Sequence, residues 1–214
     1  MIAIVDYGSC NVMSMKNMLA KAGAVDCLIS RDADIIAQAD RIILPGVGSF
    51  DSGIASLKES KLIDPLRNSY AKGVPILGIC LGMQLLGISS EEGSEKGLGF
   101  IDFECVKFRP NHNFKDLRVP HMGWDYVHVT SAESPIASAG SPGDSSIPNR
   151  FYFAHSYYAV CHDKSNEVMT CTYGSTTFAA AVQNQNAFGV QFHPEKSHIF
   201  GLGLLKNFLE RTKV

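Results

Sequence analysis

The chain has 214 residues, 45% hydrophobic and 19% charged, which suits one large domain with a full core and does not require two. Its formal net charge of −2 gives no electrostatic reason to expect nucleic acid or an anionic membrane as partner. The longest apolar run, around Val74–Ile88, is broken by Pro75, Gly78, Gly82 and Gln84, and falls short of the roughly 18 residues of a membrane span.

Ile2–Val5 is a short, largely β-branched run that reads as a strand, and no basic segment precedes it as in a leader peptide; a cytoplasmic protein is expected. After the turn Asp6-Tyr7-Gly8, Asn11 is placed to cap a helix through about Ala22, with Met15, Met18 and Leu19 on one face. Val25–Ile29 is the second expected strand, Asp32–Gln38 a short helix, and Arg41–Leu44 a third strand running into the loop Pro45-Gly46-Val47-Gly48. Helices follow at about Asp51–Glu59 and Leu62–Lys72, then a strand at Pro75–Ile79 and a helical pattern starting near Leu81. Apolar strands separated by amphipathic helices predict an α/β fold, a doubly wound and mostly parallel sheet covered on both faces.

From about Gly97 to Gln183 the texture changes. Short β-rich pieces at Ile101–Phe108, Tyr126–Val129, Arg150–Phe153, Tyr157–Cys161, Val168–Thr172 and Phe178–Val182 alternate with polar turns. They predict an antiparallel extension of the same domain, with the Ser-, Gly- and Pro-rich stretch Ser138–Pro148 as its mobile loop. Ala187–Phe192 returns to the parallel texture, and Leu202–Arg211 closes the chain as an amphipathic helix. The six cysteines (Cys10, Cys27, Cys80, Cys105, Cys161, Cys171) are scattered without a CxxC pair, as expected of small buried hydrophobes in a reducing compartment. No His/Cys pair has zinc-finger spacing, so no metal is expected.

The sharpest feature is Gly78-Ile79-Cys80-Leu81-Gly82 between an apolar strand and a helix. A nucleophile elbow turns so tightly from strand to helix that glycines are needed two residues to either side. Such a turn pushes the thiol out of the sheet toward the helix N-terminus, where backbone N–H groups and the helix dipole favour a thiolate. A buried core cysteine is the plain alternative. A cysteine nucleophile needs a base, and the base needs an orienting group. Gln191-Phe192-His193-Pro194-Glu195 supplies both at the C-terminal edge of a strand, where sites assemble in doubly wound sheets. By itself this reads equally as a surface turn. The third piece, the loop at Pro45–Gly48, reads by itself as a plain strand-ending turn, but offers backbone N–H groups of Val47 and Gly48 which, with Leu81 N–H, suit an oxyanion hole. Loss of one such donor typically costs about a hundred- to a thousandfold in rate.

In this order the three segments resemble the class I (triad) glutamine amidotransferases, over essentially the whole chain from Asp6-Tyr7-Gly8 to the final helix. The resemblance implies that Cys80 is acylated by glutamine, that His193 acts as base and then acid, and that Glu195 orients it. It further implies that Gln84, Glu92, Gly46 and the segment His155-Ser156-Tyr157 line the glutamine pocket, with no cofactor. Asp6-Tyr7-Gly8…Asn11, Pro45–Gly48, Gly78–Gln84, Gly97-Leu98-Gly99, Pro120-His121-Met122-Gly123-Trp124 and His193-Pro194-Glu195-Lys196 are similar to glutaminase subunits of imidazole glycerol phosphate synthases. That similarity implies a heterodimer with a (β/α)₈ cyclase, to which ammonia passes for histidine synthesis. The partner surface it implies comprises Asn11, Pro120, His121, Met122, Gly123, Trp124 and Lys196, although Trp124 also reads as a core tryptophan with His121 beside it. Cys10 and Asp125 depart from that family's usual glycine and asparagine. Lys196-Ser197-His198-Ile199-Phe200-Gly201 is also similar to paralogous glutaminases that supply ammonia for amidating surface-polysaccharide sugars. A stand-alone cysteine amidase and a non-catalytic interaction protein are the other readings of the same fold.

Overall fold

The computed structural model describes residues 1–8, 12–109, 118–137 and 149–212. The expected cap Asn11, the departure Cys10 and the expected mobile loop Ser138–Pro148 lie outside the described residues.

The first half is built from β1 (Ile2–Val5), α1 (Val12–Lys21), β2 (Cys27–Ser30), α2 (Ala33–Ala37), β3 (Arg41–Gly46), α3 (Phe50–Glu59), α4 (Ile63–Ala71), β4 (Ile76–Cys80) and α5 (Leu81–Leu86). There follow β5 (Ser89–Ser90), β6 (Phe103–Lys107), β7 (His121–Tyr126), β8 (His128–Val129), β9 (Arg150–His155), β10 (Tyr157–Cys161), β11 (Glu167–Tyr173), β12 (Thr176–Asn184), β13 (Ala187–Val190) and α6 (His198–Arg211). Among the described residues an 11-stranded sheet runs β2-β1-β3-β4-β13-β12-β10-β6-β5, with β11 and β8 branching from β12. The block β2-β1-β3-β4-β13 is parallel throughout, and the strands from β12 outward are antiparallel except for the short β5–β6 pair. The expected parallel sheet with an antiparallel extension is therefore found.

The uninterrupted apolar strands are explained by their two faces. Ile2 and Ile4 of β1, with Leu77 and Ile79 of β4, pack into a core that also takes Met15 and Leu19 of α1 and Leu204, Leu205 and Phe208 of α6. Ala3 and Val5 of β1, with Ile76 of β4, face the opposite core, filled by Ile36 of α2, Ile54 and Leu57 of α3, Leu66 of α4 and Leu85 of α5. A strand buried on both sides has no polar alternation to show. Truncating one of these side chains to alanine costs about 2–5 kcal/mol.

The helix expected to start near Leu81 ends at Leu86, where the segment 98–101 folds back onto its last carbonyls: Leu98 N donates to Leu85 O at 2.8 Å and Phe100 N to Leu86 O at 2.9 Å. One element differs from expectation. The stretch Tyr126–Val129 is not one strand. Among the described residues β7 ends at Tyr126 and pairs with β9 as a separate two-stranded ribbon, while β8 joins β11, and buried Val127 forms the corner between the two sheets.

Candidate active site

Cys80 is the last residue of β4, and its backbone has φ 54° and ψ −111°. For a residue with a side chain this is the sparsely populated left-handed region, costing about 1–3 kcal/mol and held only by over-determined surroundings. The surroundings are close-packed backbone. A Cβ on Gly82 would sit 1.7 Å from Leu44 O, and one on Gly78 would sit 2.6 Å from Gly82 O. The glycines are thus required by the approach of three chain segments, as the elbow pattern implied.

Sheet register brings the other segments to this point. Gly46 at the end of β3 pairs with Cys80, so the loop Val47–Gly48 begins beside that cysteine. Val190 of β13 pairs with Ile79, so the chain leaves β13 alongside Cys80 and enters the turn at His193. His193 N donates to Tyr152 O at 2.9 Å, and Ser197 Oγ donates to His193 O at 2.6 Å while accepting from Tyr152 N at 3.0 Å. β9 thereby clamps the whole His193–Ser197 segment. Pro194–Lys196 forms one 3-10 turn, and within it His193 Nδ1 meets Glu195 Oε1 at 2.8 Å. His193 is also within hydrogen-bonding reach of the Cys80 side chain. Burial alone pushes the imidazole down, but the hydrogen bonds and charge of Cys80 and Glu195 outweigh it and raise the ring to about 10. The three groups converge at one sheet edge.

Cys80 and His193 open onto a cavity of about 370 Å³. Its lining takes Cys80, Leu81, His193, Val47 and Gly48 together with Gln84, Glu92, His155, Ser156 and Tyr157, with Pro120 and Lys196 also present. Gln84 donates through Nε2 to Tyr157 O at 3.2 Å and to Gln191 Oε1 at 3.1 Å. Glu92 Oε2 accepts from Phe50 N at 2.8 Å, supplying from a distant loop the cap that Ser49 does not give α3. Asp51 returns the contact by accepting from Ser94 N and Glu95 N, each at 3.0 Å. The cavity acid and the loop ahead of α3 are therefore tied together.

Gly46, expected in the glutamine pocket, is not on the lining of this cavity: it is buried, a Cβ there would come 2.3 Å from Tyr7 Oη, and it lines a second space of about 290 Å³ shared with His193 and Glu195.

The segment Pro120–Trp124 divides by strand alternation. Met122, Trp124 and Tyr126 point outward with 63%, 41% and 53% of their surface exposed, so the reading of Trp124 as a core residue is also corrected. Arg150 lies over the Trp124 ring at 5.4 Å, and His198 is stacked on it with ring centroids 5.5 Å apart. His121 turns the other way and is buried, packed between Phe153 and Tyr173, so its expected place on the partner surface is corrected. Its Nδ1 meets His155 Nε2 at 3.2 Å, and its Nε2 lies 3.3 Å from Asp125 Oδ2. His155 Nδ1 must donate to Tyr157 O, 2.8 Å away, which leaves His155 Nε2 as acceptor and His121 Nδ1 as donor. Burial pushes His155 down to about 3, so the ring is neutral in the fold. Asn11 lies outside the described residues, and Lys196 is exposed with Nζ 5.6 Å from the Tyr152 ring centre.

One buried group was not singled out from the sequence. Gln191 is fully enclosed and its Nε2 donates to Cys80 Sγ at 3.8 Å. The signal was an amide at the end of an otherwise apolar strand, which needs partners wherever it is buried. Among the described residues no group of three His, Cys, Asp or Glu is placed to share a metal ion, and no helix is long and apolar enough to cross a membrane.

A strained cysteine on an elbow, a carboxylate-oriented histidine and an amide-lined cavity at the carboxyl edge of a parallel sheet define a cysteine amidotransferase of the triad type. The family profile described as Glutamine amidotransferase class-I matches residues 3–212. The imidazole glycerol phosphate synthase subunit HisH 2 of Methanococcus maripaludis is 52% identical over 214 residues, covering 99% of this chain and 100% of that one. The subunit HisH 2 of Pseudomonas aeruginosa is 46% identical over 211 residues, covering 98% and 99%. A crystal structure of a glutamine amidotransferase superposes with a TM-score of 0.74 at 16% identity, covering 100% of this chain and 99% of that one, a likeness of fold. The chain belongs to the class I glutamine amidotransferases and, within them, to the HisH subunits of imidazole glycerol phosphate synthase.

Proposed function

We propose that this chain hydrolyses glutamine to glutamate and ammonia, and passes the ammonia to a (β/α)₈ cyclase subunit in a heterodimer serving histidine biosynthesis. One observation carries the reading: Cys80 and His193 share a cavity with Gln84 and Glu92, and Glu195 bonds the His193 imidazole at 2.8 Å. In this reading Cys80 Sγ attacks the carboxamide carbon, and the tetrahedral oxyanion takes N–H groups of Val47, Gly48 and Leu81. His193 gives its proton to the leaving nitrogen, so ammonia departs and a glutamyl thioester remains on Cys80. Water then attacks the thioester with His193 as base, releasing glutamate and restoring the thiol. Glu195 holds the imidazole orientation throughout. Glu92 faces the substrate's ammonium end, and Gln84 its amide end, with His155–Tyr157 as wall.

Ammonia protonates in bulk water and then ceases to be a nucleophile, which is a physical reason for a closed complex. The exposed Met122 and Trp124, with Pro120, Gly123, Asn11 and Lys196, form the docking surface in this reading. The chain acts as one domain, 1–214, since one sheet runs through both of its halves. The five described cysteines are all free thiols, which suits a reducing cytoplasm. Glutamate release is expected to be slow in the isolated chain, to rise when the cyclase is added, and to vanish in Cys80→Ala. Equal turnover with and without the cyclase would favour a stand-alone amidase, and unchanged turnover in Cys80→Ala would end the reading.

A further inference from the structure

Gln191 follows directly on Val190, the residue that pairs with Ile79, so the register sets it against the nucleophile. It has no exposed surface. A carboxamide buried there must have both ends met, and which end faces the sulfur is decided by its neighbours. The chain of contacts starts at Tyr157 O, a backbone carbonyl that can only accept. It therefore fixes Gln84 with the NH₂ end toward it, at 3.2 Å. The same NH₂ donates its second hydrogen to Gln191 Oε1 at 3.1 Å. Gln191 then has only its own NH₂ left for Cys80 Sγ, at 3.8 Å.

We propose that Gln191 belongs to the catalytic machinery as an N–H donor to the Cys80 sulfur, with its orientation set by a relay running from Tyr157 O through Gln84. The proposal rests on Cys80 being the nucleophile. When His193 holds the proton, the sulfur carries negative charge in a buried place, and a donor aimed at it stabilises that state without reorganising. The donor also limits rotation of the sulfur about its Cα–Cβ bond, so that Sγ stays between His193 and the cavity. The relay has a second consequence. It consumes both hydrogens of Gln84, so the end of Gln84 left for a substrate is the acceptor Oε1. An acceptor there suits a carboxamide N–H and repels a carboxylate, which helps to separate glutamine from its own product.

The test uses the isolated full chain and iodoacetamide, without glutamine, following Cys80 by peptide mass at pH 7 and at pH 10. Gln191→Met keeps volume and removes the donor. Its alkylation is expected to fall about tenfold at pH 7 and to recover at pH 10, where base rather than the donor supplies the thiolate. Gln191→Glu, nearly isosteric, keeps the bond from Gln84 but turns a carboxylate oxygen to the sulfur, and is expected to react more slowly still at pH 7. Gln84→Met does not touch the sulfur. It is nevertheless expected to lose several-fold at pH 7, because the Gln191 amide is then free to turn its oxygen inward. A wild-type rate at pH 7 in Gln191→Met, or a loss of equal size at both pH values, would overturn the donor role. A wild-type rate in Gln84→Met would overturn the relay. Should Gln191→Met not fold, the other two variants decide. Because glutamine is absent from these measurements, wild-type glutamate release tests the glutaminase reading separately.

Discussion

The parallel and antiparallel halves of the sheet meet at the candidate site, and they are built under different constraints. Around β3, β4 and β13 there is no room for a further side chain: an added Cβ would lie within 2.6 Å of backbone at Gly78 and Gly82, of Tyr7 Oη at Gly46 and of the Met83 side chain at Gly189. In the antiparallel half the pocket wall rests on buried polar groups instead, His121, His155 and the carbonyl of Tyr157, each bonded to the next. One half is therefore sensitive to volume and the other to protonation. A strained nucleophile needs a scaffold that cannot relax, whereas a pocket wall needs its donors and acceptors in fixed directions.

The sharpest way to break the comparison is to add one methyl group on each side. Gly82→Ala places Cβ 1.7 Å from Leu44 O and is expected to cost about 4 kcal/mol or more, seen as loss of soluble folded protein. Gly123→Ala, in the ribbon, meets nothing within 4 Å and bears only the strain of φ +135°, about 1–3 kcal/mol by chemical denaturation. Equal costs would refute the distinction. Next in size is Glu195→Gln, which keeps shape but loses the carboxylate 2.8 Å from His193 Nδ1. Glutamine turnover with the cyclase present is expected to fall about a thousandfold or more, with the melting temperature nearly unchanged.

The protonation side is tested by pH. His155 has its folded value pushed down to about 3 from 6.5, so the unfolded chain takes up this proton first as pH falls. Its contribution to stability is complete above 6.5 and is lost progressively between 6.5 and 3, at up to about 1.4 kcal/mol per pH unit. His155→Gln is expected to flatten that part of the acid limb in urea titrations; an identical acid limb would contradict the assignment. Smallest is an exposed pair on α6, Lys206–Glu210 at 3.8 Å, where Lys206→Ala should change stability by no more than about 0.5 kcal/mol.

The difference between the halves also decides what could be read in advance. The parallel strands and the elbow were visible because their requirements are local: a continuous apolar run, then glycines at fixed offsets around Cys80. The ribbon was not, because Gly123 interrupts the alternation that turns His121 in and Trp124 out, and the pairing partner β9 is distant in the chain. The short span of α5 was equally hidden, since it depends on carbonyls being claimed by Leu98 and Phe100. Gln84, Glu92 and His155 were named through resemblance, but their contacts to Tyr157, Phe50 and His121 are tertiary and no spacing announces them. Gln191 was in plain view as an amide in an apolar strand, and only the register against Ile79 gives it a task.

The most direct measurement is covalent. The chain is incubated with a diazo-ketone analogue of glutamine, and the adduct is mapped among the six cysteines, in wild type and in His193→Ala. A single adduct on Cys80, strongly slowed in His193→Ala, is the expected result. An adduct on another thiol, or labelling of Cys80 that is indifferent to His193, would contradict the convergence on which the proposed chemistry depends.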